Sequence, residues 1–179
     1  MNYNDLKTGD ILNRHVTFYW YKPNRYISAL IRYFTKSWCS HSAMIIDVWG
    51  EKMVIENDNS TTRLISYDHW SKDYDIVITR TDLNETEQRN ICIMAIQELG
   101  YTGYDYEDLV VQIIYSISNT WIGRTGKNAG SKKICSELVA FFYNNLRGYY
   151  PEWFKTTPAN IYTDNRFKVV FTGKAKDLN

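Results

Sequence analysis

The sequence predicts an α+β domain in which an antiparallel sheet or partial barrel packs against helices. Three observations carry that reading. Short period-two segments follow one another between residues 40 and 79, a capped helix opens at Asn84, and an apolar helix opens at Cys135. With 179 residues and 44% hydrophobic content, the chain suits one domain, residues 1–179, around a single core.

Thr8-Gly9-Asp10-Ile11-Leu12 reads as a turn feeding a short strand, and the aromatic run Phe18 to Tyr21 with Pro23 as a loop or edge. Between Asn24 and Trp38, Ile27, Leu30, Ile31 and Phe34 recur at helical spacing, with Arg25, Arg32 and Lys36 mostly off that face. The period then changes. His41, Ala43 and Ile45 alternate with Ser42, Met44 and Ile46, as in a strand buried on both sides. Trp49-Gly50-Glu51-Lys52 forms a hairpin turn into Met53-Val54-Ile55-Glu56. Arg63 to Ser66 and Tyr74 to Thr79 extend the antiparallel run. Asn84 with Glu87 is a capping-box pair, and the helix it starts passes through Ile91, Met94, Ala95 and Leu99 to Gly100. Apolar residues at 109, 110, 113, 114 and 117 mark another helix, or two short ones, over 105–118. The cysteine helix places Leu138, Phe141, Phe142 and Asn145 on one face and stops at Gly148. Pro151 and Pro158 mark loops, and 166–172 alternates as a last strand. No internal repeat is present.

Composition excludes several classes. Twenty-one basic and 20 acidic residues leave a net charge of +1, which argues against nucleic acid bound mainly through its phosphates. Cys39, Cys92 and Cys135 are widely spaced with no C-x-x-C pair, so neither a disulfide framework nor a zinc site is indicated, and no cofactor or metal is expected. The glycine-rich loop 123–130 lacks the P-loop spacing, because Gly126-Lys127 runs into Asn128 and has no glycine five residues earlier. The N-terminus lacks a signal-peptide pattern, and no apolar run approaches the ~20 residues that span a bilayer. A soluble, cytoplasmic protein is expected.

Cys135 stands at the first turn of its helix, where unpaired N–H groups and the positive end of the dipole favour a thiolate. Lys132 and Lys133 add positive potential. A cysteine in such a helix is also read as a small core hydrophobe. A nucleophilic cysteine needs a base, and the base needs a third group to fix its tautomer. His15 and His69 read as loop and turn residues, whereas His41 opens a central strand between small serines. Its alternative role is that of a core or edge histidine. Glu56 ends the neighbouring strand of the same hairpin, within reach of His41, or else points to water, with Asn57 and Asp58 as substitutes for the third position.

Five segments, Gly9-Asp10-Ile11, Ser40 to Ile46, Val54-Ile55-Glu56, Tyr104-Asp105 and Cys135 to Val139, together resemble the NlpC/P60 papain-like cysteine hydrolases. In ordinary members the tyrosine and the cysteine helix precede the Gly-Asp turn and the histidine strand. Here they follow, so the chain is similar to the circularly permuted branch, the YiiX/YebB-like (DUF830) group. Thr157 to Ile161 also resembles a proline segment found after the cysteine helix in that group. Two departures are visible: Ser42-Ala43 stands where many relatives carry Val-Gly, and an insertion over 101–133 separates Tyr104 from Cys135.

The resemblance implies a permuted papain-like fold with Cys135 as nucleophile, His41 as general base, Glu56 as orienting residue and Tyr104 as an oxyanion donor beside the Cys135 N–H. It implies hydrolysis of an amide in a small peptide, with cell-wall-type peptides as one candidate substrate. Its alternatives are a thioesterase or acyltransferase acting on a lipid acyl substrate, resembling the lecithin:retinol acyltransferase branch, and a binding module that keeps the fold without catalysis. The tyrosine-rich, aromatic composition suits a groove with one apolar and one hydrogen-bonding wall.

Overall fold

The period-two segments pair into one six-stranded antiparallel sheet. The structure is a computed structural model and describes residues 1–15, 29, 32–58, 61–72, 74–100, 111 and 133–178. The strands are β1 (Ile11–His15), β2 (His41–Val48), β3 (Glu51–Asp58), β4 (Thr61–Ser66), β5 (Asp75–Arg80) and β6 (Lys168–Lys174). Their spatial order is β4-β3-β2-β1-β5-β6, and every pairing is antiparallel. Among the described residues β4 and β6 are the edges, so the sheet is open rather than closed into a barrel. The α-helices whose bounds lie among the described residues are α1 (Tyr67–Trp70), α2 (Glu85–Glu98), α3 (Cys135–Arg147) and α4 (Pro158–Tyr162). The aromatic run 18–21, residues 24–28, 30 and 31 of the helix expected over 24–38, all but residue 111 of the helix expected over 105–118, the 123–130 loop and Tyr104 lie outside the described residues, while residues 32–35 are helical as expected.

Both faces of the sheet are covered, which is why β2 reads as apolar on both sides. Met44 and Ile46 join Ile11 and Ile55 against Ile91 and Ala95 of α2 and Leu138, Val139 and Phe142 of α3. Ala43 and Ile45 join Leu12, Val54, Ile76 and Ile78 against Tyr67, Trp70, Ala175 and Leu178 on the other face. Each fully buried aliphatic or aromatic side chain contributes roughly 1.5–3 kcal/mol, so β2, buried from His41 through Ile46, is the most firmly held strand. A functional side chain at its start therefore stands on a rigid base.

Local chemistry explains where the elements end. The β2–β3 turn is shorter than the sequence suggests: Trp49 and Gly50 alone adopt positive φ (53° and 91°), and Val48 already pairs with Glu51. The capping box forms at α2, where Asn84 Oδ1 accepts from the Glu87 N–H and Glu87 Oε2 accepts from the Asn84 N–H, each at 2.9 Å. Gly148 ends α3 in the left-handed region (φ 66°). Pro158 starts a helix rather than a loop. Thr157 Oγ1 accepts from the Asn160 N–H at 3.2 Å, and proline fits the first helical position because no N–H is needed there.

The inner face of α3 differs from the sequence expectation in one residue. Asn145 is exposed, and the fully buried Tyr143 holds the helix instead. Its hydroxyl donates to the Gly9 carbonyl at 2.6 Å. Gly9 in turn donates its N–H to Ile45 of β2 at 2.9 Å, and Asp10 accepts two 2.6 Å bonds from Arg80. The Gly-Asp turn thus ties α3 to the sheet. Gly9 must be glycine, since φ is +93° and a Cβ would lie 2.3 Å from Leu83 Cδ1.

Candidate functional site

The register explains how two distant residues meet. Met44 lies opposite Ile55; one further step of that register sets Ala43 opposite Glu56 and His41 on the diagonal, on the same face of the sheet. The diagonal is bridged by side chains. His41 Nε2 lies 2.8 Å from Glu56 Oε2. Glu56, 1% exposed, is held at every lone pair: Trp70 Nε1 donates to Oε2 at 3.0 Å, and Arg63 donates to Oε1 from Nε at 3.1 Å and Nη2 at 2.6 Å. Arg63 sits directly opposite Glu56 on β4. The bland alternative of a carboxylate pointing to water is therefore not what the fold contains.

Cys135 arrives from the other side, at the start of α3, and its side chain hydrogen-bonds to His41. Because Nε2 is engaged by Glu56, the ring nitrogen turned to the sulfur is Nδ1. The backbone N–H groups of Ser42 and Ser136 also point at the sulfur. The helix start is fixed by three bonds. Glu137 Oε2 accepts from the Ile134 N–H at 2.9 Å, Ser136 Oγ donates to the Thr156 carbonyl at 2.7 Å, and Asn57 Nδ2 of β3 donates to the Lys133 carbonyl at 2.6 Å. The potential expected from Lys133 is already committed, since its Nζ pairs with Glu98 at 2.8 Å in a buried bridge.

The electrostatics of the three groups follow from this geometry. Burial of the Cys135 thiol raises its pKa, but the His41 charge, the hydrogen bond from His41 and the Ser42 and Ser136 N–H groups outweigh it and leave the pKa below the ordinary 9.0. Burial and the nearby Arg14 charge lower the His41 pKa; the Cys135 thiolate, its hydrogen bond and the bond to Glu56 reverse this and carry it to about 9. Glu56 is held well below the carboxylate range, with the His41 bond and charge, Arg14 and Arg63 overcoming the cost of burial. The lowered thiol pKa and the raised imidazole pKa both favour the thiolate–imidazolium form of the pair. Such a pair can act chemically as a nucleophile next to a proton donor.

The other two thiols have none of this. Burial pushes Cys39 up to about 12, although its thiol donates to the His41 carbonyl at 3.1 Å. Cys92 is also raised, again by burial. His15 stacks on Trp38 with ring centroids 5.0 Å apart, and His69 lies in α1, both apart from the sulfur. Among the described residues no group of three or more His, Cys, Asp or Glu side chains is placed to hold a metal ion, and no helix is long and apolar enough to cross a membrane. Sequence reading missed Arg63 and Trp70, and it offered Asn57 as a substitute for Glu56 where the side chain instead donates to the Lys133 carbonyl. Arg63 was legible from the hairpin register, while Trp70 and Asn57 depend on how α1 and the 133–134 segment dock.

No family model and no curated protein matches the chain. Among solved structures it is similar to the crystal structure of the metalloprotein YiiX from Escherichia coli O157:H7, DUF1105, at 16% sequence identity with a TM-score of 0.58, over 94% of this chain and 98% of that one. The likeness is one of fold. The chain has a YiiX-like α+β fold, in line with the group that its motifs resemble.

Proposed function

We propose that the chain is a cysteine hydrolase of permuted papain-like, NlpC/P60 type that cleaves an amide in a small peptide. The observation that carries this reading is the continuous line Cys135–His41–Glu56, in which the thiol pKa is lowered and the imidazole pKa raised. In this mechanism the Cys135 thiolate attacks the amide carbon, and the carbonyl oxygen takes the negative charge. The Cys135 N–H has no intrahelical acceptor, because it is the first residue of α3, and it is the donor for that oxygen. His41 Nδ1 gives its proton to the leaving nitrogen as the C–N bond breaks, leaving a thioester. Nδ1 then takes a proton from water as the hydroxide adds to the thioester carbon; the C–S bond breaks, the carboxylic acid leaves, and the site is back to Cys135 thiolate beside His41 protonated at Nδ1. Glu56 keeps the Nε2–H bond throughout and so fixes the tautomer.

YiiX is described as a metalloprotein, and a metal does not fit this donor set. Both Glu56 oxygens are consumed by Arg63, Trp70 and His41, and His41 Nε2 is consumed by Glu56. No step is assigned to a metal.

The test is iodoacetamide alkylation of the three cysteines against pH. Cys135 reacts far faster than Cys39 and Cys92 at about pH 6, where their raised pKa values leave them as thiols, and His41→Ala removes the difference. Equal rates at all three positions would overturn the reading. A panel of peptide amides and acyl esters, with Cys135→Ala as control, then separates amidase from acyl-ester chemistry.

A further inference from the structure

The end of β1 carries a cation, Arg14, that makes no ion pair among the described residues, although its charge reaches Glu56. Arg14 is the cross-strand partner of His41, and directly opposed residues of an antiparallel pair share a face. Its guanidinium lies 4.5 Å from the Tyr74 ring centroid and 5.8 Å from that of Trp70, the same Trp70 that bonds Glu56. Among the described residues Arg14 makes no ion pair, and its Nε is buried without a partner. Four other arginines are each matched with a carboxylate: Arg63 with Glu56, Arg80 with Asp10, Arg147 with Glu87 and Arg166 with Asp164. Arg32, whose Nη1 approaches the His15 ring at 2.9 Å one residue further along β1, likewise has a buried Nε with no partner and no ion pair among the described residues.

An unpaired, half-buried cation facing a histidine that is itself positive is a cost in the free protein. The two aromatic faces offset part of it. The guanidinium Nε has no hydrogen-bond partner, and the fork of the group matches a planar oxyanion. Resting on the cysteine-hydrolase reading, we infer that Arg14 receives a carboxylate or phosphate group of the substrate, so that Cys135 acts on an anionic amide or ester. The anion replaces a repulsive neighbour of the imidazolium with a compensated one. Binding and activation of the nucleophile then favour each other.

Two reagents of nearly equal size test this at the sulfur itself. Iodoacetate carries the anion and iodoacetamide does not, and the ratio of their rates at Cys135 measures the local attraction. Arg14→Gln lowers that ratio by about tenfold, the order expected for loss of one nearby, partly screened charge, and Arg14→Lys retains most of it. A ratio unchanged in Arg14→Gln overturns the inference, as does an equal fall with both reagents, which marks Arg14 as structural only. A second readout does not need a reactive cysteine: titration with N-acetylglycine or with inorganic phosphate shifts the Trp70 indole N–H resonance in the wild type and not in Arg14→Gln, while N-acetylglycinamide shifts neither. The stronger of the two anions identifies the group. If Cys135 proves no faster than Cys39 and Cys92, the hydrolase reading falls, and this titration still decides whether Arg14 binds anions; equal responses to acid and amide refute it.

Discussion

Cys135→Ala removes the thiolate while leaving burial, Arg14 and Glu56 in place around His41. In the intact protein His41 titrates at about 9 against an ordinary 6.5; at ~1.4 kcal/mol per unit, that rise is worth roughly 3 kcal/mol in favour of the imidazolium. Burial and the Arg14 charge work against it, so the rise depends on Cys135 and Glu56. With the sulfur gone, the His41 pKa falls by at least about one unit, ~1.4 kcal/mol. The assay is an NMR titration of the His41 ring proton from about pH 5 to about pH 10 in both proteins. An unchanged pKa in the variant would refute the thiolate–imidazolium pair, and with it the assignment of Cys135 as nucleophile. Global stability is the wrong readout. A raised histidine pKa contributes stability that is present below 6.5 and lost as pH rises through about 9, whereas a lowered cysteine pKa contributes stability present above 9.0 and lost as pH falls through its folded value. Where those windows overlap the slopes oppose each other, because folding moves one proton from sulfur to nitrogen without binding or releasing it.

Glu56→Gln lowers the His41 pKa, leaves Arg63 without its carboxylate and reduces kcat/KM at least about a hundredfold. Because Glu56 is held below its ordinary 4.5, its contribution to stability is complete above that pH and fades as pH falls through the lowered value; urea titrations in acid show this loss in the wild type and not in the variant. Gly9→Ala destabilises by about 1–3 kcal/mol in denaturant unfolding, since the backbone is left-handed there and the new methyl meets Leu83; a neutral result would mean the Gly-Asp turn does not clamp α3. Glu98→Ala strands the buried Lys133 ammonium and costs about 3–5 kcal/mol, while Glu98→Leu with Lys133→Met recovers most of that.

Much of the sheet was legible because its strands alternate cleanly and one hairpin joins His41 to Glu56. The two-sided burial of β2 was written in its unbroken apolar run, and the α2 cap in Asn84 and Glu87. What escaped the sequence are contacts whose partners are set by docking rather than by period. Tyr143 holds α3 although Asn145 has the better helical spacing, because the Gly9 carbonyl reaches that turn of the helix. Lys133 seemed to add charge to the sulfur and is spent on Glu98, a pairing between the segment before α3 and the end of α2 that spacing cannot reveal. Trp70 bonds Glu56 only because the short α1 folds back beneath β3 and β4. Pro158 looked like a breaker and is a starter, since Thr157 before it and Asn160 after it complete a cap.

The order of these parts along the chain also sets a schedule for their appearance during translation. The hairpin bearing His41 and Glu56 leaves the ribosome first, and at ~5–20 residues per second the Cys135 helix follows roughly ten seconds later. Through that interval Arg63 and Trp70 can already grip Glu56, while the imidazole lacks the sulfur that raises its pKa. Tyr143 reaches Gly9 only after the whole of α3 has emerged. A nascent chain therefore carries the finished His41–Glu56 platform without its sulfur, and on the proposed reading reactivity switches on at the late step that latches the helix to the Gly9 turn.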